Sequence, residues 1–322
     1  MSPGPPPPGC PFAPGSVSLR LYPHDELDAP AAVRELCDQA ALGLAGGFDG
    51  IMTSEHHGGC AGYLPNPLQL ATFVLEEHGS GWAAPCPLLL PLRPTAQVAE
   101  EIAWLDARHP GRVGLGVAAG ALPLDFEVMG VPADQAVPRF KAELPRIVDL
   151  LSGRGLGPLA GDRALQRCAS SPVPVLSAAV SPEAARRAAR CGAGILTEGL
   201  SEVGRLRSLC DAYDAAGGTG PKVVIRRVWL GEPDPELVAR QRAVTRASAG
   251  RRRALAEDQT VAATDPGKMA ERLEDLRRAS GADAINLRVH LPGVTPAAAR
   301  DQIAALAGEV VPRLRELRLR PD

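Results

Sequence analysis

The sequence predicts an α/β fold, a single parallel (β/α)₈ (TIM) barrel, on three observations. The chain has 322 residues, 45% of them hydrophobic, enough for one barrel of about 250 residues with insertions. Eight short apolar runs alternate with helix-prone stretches, the order expected of parallel strands joined by helices. No Gly-x-Gly-x-x-Gly follows the first run, which weakens the competing doubly wound sheet as a dinucleotide binder.

Residues 17–22 form the first expected strand, with Val17, Leu19 and Leu21 on one face, and residues 31–45 the first helix, ended by Gly46 and Gly47. A strand beginning at Gly50 runs into Glu55, His56 and His57. A helix over 67–78, an extended run over 82–90, a helix over 95–108 and a strand over 113–117 follow. Next come a helix over 138–151, a strand over 173–177, a helix over 182–191, a strand over 194–197, a helix over 202–215 and a seventh strand over 223–230. A charged, helix-prone stretch over 235–260 precedes a helix over 266–280, an eighth strand over 284–291 and a closing helix over 295–318. The barrel is expected over 16–322, with an insertion at about 232–265 that reads either as a lid or as a surface insertion.

Composition excludes several classes of function. A formal charge of −2 offers no positive excess to hold nucleic acid or an anionic membrane, and the local run Arg251, Arg252, Arg253 reads as a solvated loop. The most apolar run, 83–92, is too short to cross a bilayer and is broken by Pro85, Pro87 and Pro91. Seven cysteines without a CxxC pair point to a reducing compartment, the cytoplasm. Residues 1–15, mostly proline and glycine, lack signal-peptide features and are expected to form a disordered tail.

Chemistry concentrates between Gly50 and Asn66. If Met52 and Ser54 share one face of the strand, period-two alternation puts His56 with them and sends His57 to the other. Adjacent strand residues cannot readily chelate one ion, so no metal site is expected. In the eighth strand Ile285, Leu287, Val289 and Leu291 form one face and Asn286, Arg288 and His290 the other, assigned to the barrel interior. That polar face serves either substrate binding or an ion-pair network. Arg226 and Arg227 are adjacent and must diverge. No serine nucleophile elbow, phosphate-cradling lysine loop or H-E-x-x-H helix occurs, so the reaction is expected to rely on a bound cofactor.

The motifs, in their order and spacing, resemble the bacterial luciferase-like flavin monooxygenases. They are Glu55-His56-His57 with Asn66-Pro67, Leu90-Pro91, Ala99-Glu100, Leu105-Asp106, Gly111-Arg112, Gly116, Gly120, Asp125-Phe126 and Gly130, then Ser181-Pro182-Glu183 and the segment 289–293. The resemblance covers roughly residues 17–317. It implies a barrel that binds reduced FMN, supplied by a separate flavin reductase, near the C-terminal ends of the strands, often as a homodimer.

By position, His56 matches the family's histidine beside the flavin ring. A pKa of about 6.5 suits a group that both donates and accepts protons. Glu55 is placed either to orient the imidazoles or as a structural carboxylate. Arg139, with Glu143 four residues on, matches an arginine at the flavin phosphate; Ser181 matches a hydroxyl there and also suits an ordinary N-cap before Pro182. Cys86-Pro87 matches a cis peptide under the flavin ring and is expected to be cis. Where the luciferase branch carries a phosphate-contacting arginine, this chain has Ala119, which shifts that task to Arg139, backbone amides or another basic residue. The activity implied is insertion of one oxygen atom from O₂ into a small organic substrate, with Arg288 and His290 shaping the substrate mouth. The alternatives are hydride transfer with a deazaflavin coenzyme and a non-catalytic partner subunit.

Overall fold

A computed structural model describes residues 9–248 and 259–319. Its strands are β1 (Val17–Arg20), β2 (Gly50–Thr53), β3 (Trp82–Pro85), β4 (Leu88–Leu89), β5 (Leu115–Ala118), β6 (Val175–Ala179), β7 (Gly194–Thr197), β8 (Lys222–Leu230), β9 (Val261–Ala263) and β10 (Ala284–Arg288). All are paired in parallel, in the order β3-β2-β1-β10-β8-β7-β6-β5-β4. The extended run expected over 82–90 is therefore two pieces. Its first half pairs with β2 and its second with β5, while a bridge between Ala83 and Val113 adds the remaining link. The barrel is nearly closed by that split strand.

The helices are α1 (Ala29–Ala45), α2 (Pro67–Glu77), α3 (Thr95–Arg108), α4 (Pro123–Val128), α5 (Ala136–Leu150), α6 (Arg163–Arg167), α7 (Pro182–Cys191), α8 (Val203–Asp214), α9 (Pro235–Ser248), α10 (Pro266–Ser280), α11 (Pro296–Ala305) and α12 (Val311–Leu319). The short α4, between β5 and α5, and α6, between α5 and β6, were not expected. The closing helix is interrupted by a π-helical turn, Leu306–Val310. Within the insertion, α9 is followed by β9, which extends the sheet beside Val228 to Leu230; Arg251, Arg252 and Arg253 lie outside the described residues.

Alternation sorts the side chains as the strand patterns predict. Ile285 and Leu287 join the core between sheet and helices, whereas Ala284, Val223, Leu196, Leu176, Met52, Ala84 and Cys86 fill the barrel axis. Trp82 occupies the floor, and Gly50 makes room for it: a Cβ there would lie 2.0 Å from Trp82 Cδ2. Phe12 packs edge-on against Trp82 at 5.1 Å between ring centroids and is fully buried. This corrects the expected tail over 1–15 for residues 9–15, where a buried aromatic ring outweighs the proline and glycine around it; residues 1–8 lie outside the described residues.

The C-terminal end is fastened to the same face. Arg318 donates to Gly15 O and to Glu274 Oε2, the latter at 3.0 Å, and Arg277 and Arg278 also donate to Glu274. Burial alone would raise the Glu274 pKa, but hydrogen bonds from Arg277, Arg278 and Arg318 hold it down at about 2. Its unfolded value is about 4.3, so the stabilisation is present above that pH and is lost as pH falls from about 5 towards 2. Glu274→Gln is expected to flatten the fall of Tm across that interval; an unchanged slope would show that the cluster does not control acid stability.

Candidate active site

The C-terminal ends of β1, β2, β3/β4, β5, β8 and β10 carry the polar groups. His56, two residues beyond the end of the β2 alternation at Ser54, projects beside Tyr63, with ring centroids 4.4 Å apart. Its Nδ1 donates to Asp125 Oδ2 at 2.8 Å, and the other oxygen of Asp125 accepts from His57 N at 2.7 Å. Asp125 is fully buried. Because a carboxylate only accepts, this pairing puts the His56 proton on Nδ1 and leaves Nε2 as the exchangeable position.

His57 points the other way, as alternation requires. Its Nε2 donates to Glu55 Oε1 at 2.9 Å, and the same oxygen accepts from Arg93 at 2.7 Å. Glu55 Oε2 accepts from Leu89 N at 2.5 Å. Glu55 thus meets only one of the two imidazoles, that of His57, and ties β2 to β4 through Leu89 N, whereas the carboxylate on His56 is Asp125. The sequence reading missed Asp125 as a functional group, although Asp125-Phe126 was among the motifs of the resemblance.

The Cys86-Pro87 bond is cis, as the resemblance implies. Cys86 O accepts from Arg20 at 2.7 Å and Pro87 O from Glu55 N at 3.1 Å. The Cys86 thiol is buried, which pushes its pKa up to about 11 and keeps it unreactive. Beyond this bond Leu89, Phe126, Leu92 and Ala136 form an apolar cluster with Ala118 packed against it. One wall of the mouth is thus apolar and holds His56.

The opposite wall is cationic. Arg20, buried at β1, donates to Asn286 Oδ1 at 2.6 Å, to Ser54 Oγ and to Cys86 O. Arg288 donates to Tyr22 OH at 3.2 Å and stands 6.0 Å from that ring's centroid. Tyr22 touches Tyr63 on one side and His290 on the other, and His290 touches His24. A chain of rings therefore joins His56 to His290 across the mouth. Burial, then the nearby His24, Arg288 and Arg227, push the His290 pKa down to about 3, so His290 is neutral at physiological pH. Arg226 and Arg227 do diverge: Arg226 donates to the carbonyls of Gly199, Ser201 and Gln259, whereas Arg227 pairs in register with inward Arg288 and donates to His290 O at 3.3 Å.

The proposed phosphate residues are not brought together. Arg139 is exposed on α5 and borders a crevice of about 190 Å³ with Arg93, Thr95, Glu143 and Arg146, which Ser181 does not line. Ser181 caps α7, its Oγ accepting from Ala184 N at 3.3 Å. A larger crevice of about 530 Å³ lies outside the barrel, between β9 and α10 and bordered by Arg226, away from His56. Among the described residues, no helix is long and apolar enough to cross a membrane.

The carboxylate-oriented histidine stands at the C-terminal mouth of a parallel α/β barrel, the end at which enzymes of this fold class carry their sites. The family is settled by comparison: the luciferase-like monooxygenase model matches residues 16–311, and the chain belongs to that family of oxidoreductases. Two relatives from Sinorhizobium fredii, the uncharacterised proteins y4wF and y4vJ, are 26% and 29% identical over 68% and 62% of the chain. The chain spans 66% and 60% of their lengths, under two thirds. Similar solved structures include the monooxygenase RslO1 from Streptomyces bottropensis (TM-score 0.72, 19% identity, 92% of this chain and 99% of that one). The oxygenating constituent of 3,6-diketocamphane monooxygenase from Pseudomonas putida, in complex with FMN, has a TM-score of 0.72 at 18% identity, over 93% and 98% of the two chains. An F420-dependent secondary alcohol dehydrogenase reaches 0.68 at 16% identity over 93% and 99%. At these identities the likeness shows the fold.

Proposed function

We propose that this protein is a flavin-dependent monooxygenase that takes reduced FMN from a separate reductase, works as a homodimer and oxygenates a small organic substrate. The observation that carries the reading is His56, held by Asp125 at the barrel mouth, with the apolar cluster of Asp125's neighbour Phe126 beside it. That donor set fits a flavin. Leu89, Ala118 and Phe126 offer an apolar face for the ring, while Arg139 and Ser181, which stand apart, do not together make a phosphate site. Reduced flavin, when bound, supplies the electrons that activate O₂. The chain's own part is to exclude water from the apolar wall, to orient the ring, and to move a proton through His56 Nε2 while Asp125 holds Nδ1.

Titrating the protein with FMN, reduced FMN and the two redox forms of the deazaflavin tests the assignment. Saturation by reduced FMN alone supports it. Saturation by the deazaflavin alone moves the protein to hydride transfer, and binding of neither favours a partner subunit. Asp125→Asn is expected to lower turnover about tenfold to a hundredfold, because the imidazole loses the carboxylate that holds Nδ1. Undiminished turnover in a folded Asp125→Asn protein would remove Asp125 from the proton path.

A further inference from the structure

We infer that the crevice between the start of α3 and α5 is a phosphate site, where the first turn of α3, Thr95, Arg93 and Arg139 hold a phosphate group, free or at the end of a phosphomonoester. The inference goes beyond the monooxygenase reading and stands whichever coenzyme serves His56.

The start of α3 favours an anion. The helix is 14 residues long, no side chain caps its first turn, and that turn holds no acid. Pro94, at the cap position, has no side-chain acceptor to offer the first amides. Amides of a first turn point out of the helix end and carry its positive dipole, a combination that attracts negative charge.

Two buried side chains point to the same ligand independently of the helix. Thr95 is 3% exposed and lines the crevice, yet its hydroxyl has no hydrogen-bond partner among the described residues. A buried hydroxyl without a partner is costly, and an acceptor in the crevice removes that cost. Arg93, which also lines it, repeats the pattern. One of its terminal nitrogens donates to Glu55 Oε1 at 2.7 Å and to Pro65 O at 3.3 Å, while its buried Nε finds no acceptor. A ligand can therefore take Nε without breaking the ion pair that holds Glu55. Both orphaned groups are donors, and a ligand rich in acceptors answers both.

The far side of the crevice supplies charge. Arg139, Glu143 and Arg146 follow at steps of four and three, which puts them on one face of α5. Arg146 pairs with Glu143 at 3.4 Å, whereas Arg139 is exposed and has no ion pair among the described residues. Setting Glu55 and Glu143 against the three guanidiniums leaves one positive charge, to which the helix end adds. Donors arriving from the helix, Thr95, Arg93 and Arg139 suit the tetrahedral oxygens of a phosphate better than the planar pair of a carboxylate. The volume of about 190 Å³ is below the roughly 300 Å³ at which sites for whole drug-sized ligands begin, so the crevice accommodates the phosphate end alone.

The test is calorimetry of the full chain in a phosphate-free buffer, titrated with inorganic phosphate and, for comparison, with acetate. Phosphate is expected to bind about tenfold or more tighter than acetate, with affinity falling as salt rises. Thr95→Val and Arg139→Gln are each expected to weaken phosphate about tenfold. Thr95→Val should melt no lower than the wild type, because its hydroxyl has no bond to lose. Phosphate that binds no tighter than acetate overturns the inference, and this comparison needs no variant to fold. Phosphate that binds both variants as it binds the wild type also overturns it, as does a Thr95→Val protein that melts well below the wild type, since the hydroxyl would then serve the fold. Repeating the titrations with FMN and with riboflavin identifies the source of the group, and either result upholds the site. Phosphate that binds alongside FMN marks a separate ligand, whereas phosphate that competes with FMN and not with riboflavin marks the cofactor's own end. Phosphate binding in a protein that takes up no flavin leaves the crevice standing and sinks the monooxygenase reading instead.

Discussion

Replacing His56 by alanine is expected to lower flavin-dependent turnover about 10²- to 10⁴-fold, the range for losing a positioned general acid or base, with the FMN affinity little changed. Asp125 takes up only the Nδ1 of His56, and the ring is 19% exposed where that of His57 is only 8%. The loss should appear in kcat. Asp125 keeps its bond from His57 N, so the fold survives, and oxygen uptake driven by reduced FMN provides the assay. Unchanged turnover in a folded, flavin-binding His56→Ala protein would remove His56 from the chemistry. His57→Gln is the control, expected to cost stability rather than rate because His57 faces Glu55.

Glu55→Ala is expected to destabilise the protein by about 3–5 kcal/mol, the cost of removing one partner from a buried ion pair. The fully buried carboxylate holds Leu89 N, Arg93 and His57 at once. Alanine would strand a guanidinium and a backbone amide in the interior. Glu55→Gln, which keeps two hydrogen-bonding atoms, should recover part of the loss. Thermal and denaturant melts measure both. A Glu55→Ala protein that melts with the wild type and yet turns over no substrate would return Glu55 to the catalytic chemistry.

Much of this architecture is legible in the chain because alternation reports a wall with two different sides. Val17, Leu19 and Leu21 against Ser18 and Arg20, and Ile285 and Leu287 against Asn286 and Arg288, separate helix-facing from inward positions without any structure. The divergence of His56 and His57 follows by the same count. Asp125 does not announce itself in that way: it is one acid on a six-residue helix in a β–α loop, where no periodicity says which histidine it will meet. Tyr22 and Tyr63 are 41 positions apart and meet edge to face only because the strands before them, β1 and β2, are paired. That Arg226 and Arg227 had to diverge was plain, but deciding which faced inward required the register with β10. Phe12 was hidden by its setting, because a proline- and glycine-rich stretch has the composition of a tail and gives no sign of a single ring that finds a hole beneath Trp82.

That ring has a practical consequence. Phe12 at the floor, and the bond from Arg318 to Gly15 O, bring both described ends of the chain to the face opposite the catalytic mouth. A surface or fusion partner joined at either end would hold the protein with its opening turned outward, clear of the attachment. Deleting the segment that carries Phe12 would uncover Trp82 and unseal the barrel from below.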